Sequence, residues 1–179
     1  MCLMTFINAL KPSPKISLLH PEEMPDYSQT CDGIYISKAI DGWLTKWDVP
    51  AEYHDYWRAS IVINVSNDMD NPAQSWGYPG SLVRYIDIKP AYLNAGVIAH
   101  EQAHNSYALL TAEQKELFAA EYLPLIKSDP YIKLLYSVNN YGLTSIIEGH
   151  AEVYRYIGAN MPETLKSYYP KLFNGGENG

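Results

Sequence analysis

The chain has only two cysteines, Cys2 and Cys31, in 179 residues, too few for the framework of a disulfide-rich domain. It has no run approaching the roughly 18 apolar residues that cross a bilayer, so no membrane span is expected. Basic charge is scarce as well. Thirteen Lys and Arg face 20 Asp and Glu, a net charge of −7 with no Lys/Arg cluster, which argues against a nucleic-acid or anionic-membrane surface. Met1 to Leu10 is apolar but lacks a basic flank and a small-residue cleavage site, so an ordered segment rather than a leader is expected. The compartment and the oligomeric state are left open. Repeats and low-complexity tracts are missing too, apart from the tail after Phe173. What is present is a globular composition, 47% apolar, with 16 tyrosines that supply both packing area and hydroxyls.

This length suits one domain with a small appendage. The expected division is an N-terminal arm over 1–32, with four prolines between Lys11 and Asp26, a domain over 33–173 and a fraying tail over 174–179. Apolar residues recur at helical spacing from Gly33 to Trp47, and a short helix is expected after Pro50. Ser60 to Val65 is a nearly continuous β-branched run and reads as a buried strand. Asn67 to Gly80 is rich in Asp, Asn, Pro and Gly and reads as a loop, with Leu82 to Ile88 as a second strand. Helices are then expected over Ala91–Leu109, Thr111–Lys127 (with Thr111 and Gln114 in capping-box relation), Pro130–Val138, Thr144–Ala159 and, capped by Asn160, Pro162–Phe173. Strands early and helices late predict an α+β domain.

One segment carries chemistry: His100-Glu101-Gln102-Ala103-His104, an HExxH pattern within a predicted helix. Side chains four residues apart project from one helix face, so both imidazoles can reach one Zn²⁺ while Glu101 stands beside them. A catalytic zinc takes three protein ligands and keeps a place for water, whose proton Glu101 can accept. With five histidines and eleven glutamates in the chain, chance yields roughly 0.01 such patterns. Packing histidines on an ordinary helix are the plain alternative.

The third ligand must come from elsewhere, and Glu148, His150 and Glu152 are the candidates. Glu148 and Glu152 are one turn apart on one face, whereas His150 points away. Glu148 is therefore expected as ligand, and Glu152 as an outer carboxylate that accepts the free N–H of a bound histidine. Tyr141, seven residues before Glu148, lies about two turns away. Spacing alone leaves it open between ordinary packing and a phenol aimed at an oxyanion. Trp43, Trp47 and Trp57 fall at helical spacing and read as core. Trp76 is open between a loop anchor and a flap over substrate, and Asp68 and Asp70 read as a solvated loop. Cys31, His20 and His54 show no partner spacing.

His100-Glu101-x-x-His104 with Glu148 resembles the gluzincin branch of the zincin metallopeptidases. Tyr141-Gly142 followed by Glu148-x-x-Ala151-Glu152-x-Tyr154-Arg155 is similar, more specifically, to the catalytic domains of lethal-factor-like and Pro-Pro endopeptidases. The similarity runs from about Ala91 to Phe173. It implies a zincin-like fold, with a small sheet beside the His100 helix and the glutamate ligand on a second helix. It also implies one zinc ion, peptide-bond hydrolysis, and Tyr141 as the oxyanion-stabilising phenol. The substrate would be a peptide or protein, held extended along Leu82–Ile88 as an edge strand. Gly149-His150 departs from the bulkier residues usual there, and close packing of Gly149 against the His100 helix would account for it. Two rival functions stand beside the peptidase. One is a zinc hydrolase of the deformylase type, though Cys31 lacks the surroundings of that enzyme's cysteine ligand. The other is a non-catalytic binding or regulatory protein on a zincin fold.

Overall fold

The computed structural model describes residues 33–78 and 83–173. The proposed arm over 1–32, both cysteines, His20 and the tail over 174–179 lie outside the described residues. In chain order the elements are α1 (Gly33–Lys46), α2 (His54–Ser60), β1 (Ile61–Val65), β2 (Ala73–Trp76), β3 (Arg84–Ile88), α3 (Ala95–Ala108), α4 (Ala112–Ser128), α5 (Pro130–Val138), α6 (Ile146–Ile157) and α7 (Glu163–Lys166). The α+β class is as expected: one three-stranded sheet precedes a run of helices.

The sheet corrects three expectations. Its order is β1-β3-β2, with β1 parallel and β2 antiparallel to β3, so the strand ending at Ile88 is central and not an edge. The segment expected to be only loop supplies the edge strand, Ala73–Trp76, in register Trp76↔Tyr85 and Ala73↔Ile88. Trp76 is consequently no flap: its ring stacks on Tyr85 at 4.3 Å and its Nε1–H donates to Asp87 Oδ2 at 2.6 Å. β1 is not a buried strand either. Ile61 is covered but Val62 is exposed, because only one face of this sheet meets the core. On that face Ile86 and Ile88 of β3 are fully buried.

α3 is the central element. Asn94 caps it by accepting from the N–H groups of Gly96 and Val97, and nearly every residue from Gly96 to Ser106 except the half-buried His104 is covered. A helix covered on all sides holds its polar side chains away from water, so they need defined partners. α6 lies alongside it, α1 crosses the pair, and β2 flanks it. The indole N–H groups of Trp43 and Trp47 donate to the Tyr154 hydroxyl and carbonyl, each at 3.2 Å, tying α1 to α6. With Trp57 these tryptophans are core, as expected.

The final helix is much shorter than expected. α7 has four residues, no side-chain cap from Asn160, and gives way to tight turns through Tyr169 and Leu172. Pro170 is the physical reason, since it lacks an N–H and disfavours helical geometry in the residue before it. Tyr169, Leu172 and Phe173 nonetheless pack into the core.

Candidate metal centre

α3 and α6 bring three side chains together. His100 Nε2 and His104 Nε2 are 3.1 Å apart, and Glu148 Oε2 lies 3.3 Å from the first and 3.6 Å from the second. Ser145 starts α6 by accepting the Glu148 N–H, which fixes where that carboxylate leaves the helix. Ligand atoms at about 2.0–2.1 Å from a tetrahedral ion are separated by about 3.3–3.4 Å, which the three observed separations bracket. His100, His104 and Glu148 are thus able to hold a metal ion. Two buried carboxylate oxygens at this point, Glu148 Oε2 and Glu101 Oε2, have no hydrogen-bond donor. An unpaired buried carboxylate oxygen is costly, and a cation relieves that cost.

Electrostatics follow from the same arrangement in the metal-free chain. Burial disfavours the His100 imidazolium, but Glu148 and Glu152 outweigh it and raise its pKa to about 9. Burial also works against the Glu148 carboxylate, yet the two imidazoles facing it hold its pKa well below the usual range. Glu101 moves the other way: burial raises its pKa against the pull of His100 and His104.

Glu152 sits behind His100. Its Oε1 accepts from His100 Nδ1 at 2.8 Å, which leaves Nε2 as the nitrogen presented to Glu148 and His104. Glu152 is itself fully covered, held by the Asn139 side-chain amide and by Arg155, whose Nη1 is 3.5 Å from Oε1. Asn139 has a second contact: its Oδ1 accepts the Tyr141 backbone N–H at 3.0 Å. One amide therefore fixes both the carboxylate behind His100 and the turn that carries Tyr141.

The chain matches no family model, no curated protein and no solved structure. Its site is accordingly read from its own geometry.

Tyr141 stands on a single 3₁₀ turn, Tyr141–Leu143, with its ring 6.1 Å from that of His100 and about half its surface exposed. Partial burial, then the negative charge of Glu148, raise its pKa, so at neutral pH it is a phenol with a hydrogen to donate. It opens onto a cleft of about 640 Å³ lined by His100, Glu101, His104 and residues of β2. His150 faces the other side of α6, as its spacing predicts. It is fully buried, donates from Nε2 to the Tyr168 carbonyl at 2.7 Å and stacks on Tyr169 at 3.8 Å. Burial drives its pKa down to about 3, so it is a neutral structural imidazole. Asp68 and Asp70 are exposed and belong to no ligand cluster among the described residues.

Gly149 has a different neighbour from the one expected. A Cβ there would meet the Tyr122 hydroxyl of α4 at 2.4 Å, so the glycine admits α4 and not the His100 helix. Sequence reasoning also passed over Asn139, just beyond the expected helix Pro130–Val138, and gave Arg155 no role. Arg155 had a usable signal, being three residues after Glu152 on one helix face. Asn139 had none, because its partner is thirteen residues away across a turn.

Proposed function

We propose that this chain is a zinc-dependent metallopeptidase. The observation that carries the reading is the His100–His104–Glu148 triangle, of tetrahedral dimensions, with the buried carboxylate of Glu101 beside it. Two imidazoles and one carboxylate favour zinc over calcium or magnesium, which prefer all-oxygen shells. Among the described residues the group has three ligands, not four, which suits a catalytic ion, and a purely structural site has no use for a neighbouring base. The motif similarity to gluzincins supports the same reading.

Bound zinc would supply a Lewis acid that polarises a peptide carbonyl and makes water more acidic. The remaining work falls to the chain. Glu101 takes a proton from the attacking water, whose oxygen bonds to the carbonyl carbon. As the C–N bond breaks, Glu101 returns that proton to the leaving amine. Tyr141 donates a hydrogen bond to the carbonyl oxygen as it gains negative charge. Glu152, steadied by Asn139 and Arg155, keeps His100 in the right tautomer. β2, an edge strand on the cleft wall, offers backbone groups to an extended peptide, the role expected of Leu82–Ile88.

The test is metal content paired with cleavage. Purified protein should carry about one zinc per chain, and Glu148→Ala should lose it together with cleavage of a mixed peptide library. Failure to take up zinc after reconstitution would remove the peptidase and favour the non-catalytic reading.

A further inference from the structure

The cleft contains two cations that the chemistry above does not use, Arg84 and Lys115. Arg84 opens β3 and is half-buried, with its Nε–H donating to Asn105 Oδ1 at 3.1 Å. Asn105 in turn donates to Gln102 Oε1 at 2.9 Å. The guanidinium is therefore positioned by neutral amides, which leave its charge uncancelled. Lys115 of α4 reaches over the Tyr107 ring, with Nζ 5.4 Å from the centroid. Among the described residues no ion pair joins either cation to a carboxylate.

Their placement is specific. Asn105 and Tyr107 are about 200° apart around α3 and flank the ridge formed by His100, His104 and Ala108. Arg84 comes from β3 and Lys115 from α4, and both line the cleft that His104 and Tyr107 line. Room for Arg84 comes from Gly77, whose missing side chain would sit 2.6 Å from Nη1 and 2.9 Å from Cζ. The charge balance points the same way. Among the described residues the carboxylates lining the cleft are Glu101 and Glu148, and a divalent ion would offset both. Arg84 and Lys115 then leave the cleft cationic in a chain whose net charge is −7.

We infer that Arg84 and Lys115 form a subsite for a carboxylate of the bound peptide, supplied by an Asp or Glu side chain or by a C-terminal carboxylate. The inference rests on the cleft being a peptide-binding cleft. A guanidinium whose Nη groups have no hydrogen-bond partner among the described residues suits a planar carboxylate, and the ammonium lining the same cleft adds a second positive charge.

The experiment measures retention of peptides on immobilised Glu101→Gln protein, with and without zinc. The probes are acetylated hexapeptide amides with one position fixed as Asp, Asn or Lys, and the same set as C-terminal free acids. Asp over Asn at one position should be enriched about tenfold. Arg84→Gln and Lys115→Gln should each reduce the enrichment. Gly77→Ala, which keeps the charge but displaces the guanidinium, should reduce it too. Preference for free acids over amides, with no positional preference for Asp, would assign the site to the C-terminal carboxylate. Enrichment of Lys, no acidic enrichment at all, or enrichment that survives all three substitutions would overturn the subsite. Zinc uptake is read separately. Acidic enrichment without zinc uptake keeps the subsite and removes the peptidase, whereas zinc and cleavage without acidic preference do the reverse.

Discussion

Glu101 is the residue on which the proposed chemistry turns, because a base is useful only if its proton affinity suits the task. Burial raises its pKa while two imidazoles hold it down, a balance that favours both taking and returning a proton. Glu101→Gln keeps the size and polarity of the side chain but removes that capacity. The variant should retain zinc at the wild-type ratio and lose turnover by about 10²–10⁴-fold, read as kcat alongside metal content. Activity within tenfold of wild type would take the base role away from Glu101. At this scale much was legible beforehand, since helical spacing alone places His100 with His104 and Glu148 with Glu152. Arg84, Lys115 and Asn139 were not, because their positions depend on contacts between different elements rather than on spacing within one.

The elements were legible where their own residues determine them. Thr111 and Gln114 form the expected capping box, and Asp129 with Pro130 starts α5 where the pattern says. β2 was hidden because Ala-Gln-Ser-Trp has little strand character of its own and lies among turn residues. It is held by its ladder to β3 and by the Trp76–Tyr85 stack. Gly149 shows how an element's neighbour escapes sequence reading. Tyr122 is buried and hydrogen-bonded to the Tyr136 hydroxyl, so it cannot withdraw from a new methyl group. Gly149→Ala gains about 1 kcal/mol of helix propensity. The overpacking, typically costing about 1–3 kcal/mol, should exceed that gain at so close an approach. Urea denaturation should therefore show a net loss of stability, part of it recovered in a Tyr122→Phe background. A more stable Gly149→Ala protein would place α4 farther from α6 than described.

For the molecule as a whole, the centre joins α3 to α6, so a bound ion acts as a crosslink between two core helices. At a free zinc concentration a hundred times Kd, binding to the folded chain alone adds about 2.7 kcal/mol. In a domain of this size that raises Tm by about 5–10 °C, and a chelator should reverse it. The effect depends on pH with a definite sign. In the metal-free chain the His100 pKa is raised to about 9 from the ordinary 6.5. The stability that its proton confers is complete below about 6.5 and is lost as pH rises through about 9. Zinc requires the unprotonated imidazole, so the proton competes with the ion across that same window. Glu148, with its pKa held low, stays ionised throughout and adds no slope. Metal-free protein should therefore lose stability between pH 6 and 8.5 while the zinc-induced rise in Tm grows. Calorimetry at fixed free zinc across that range measures both trends. A zinc effect that shrinks with rising pH would mean that the ion binds somewhere other than His100.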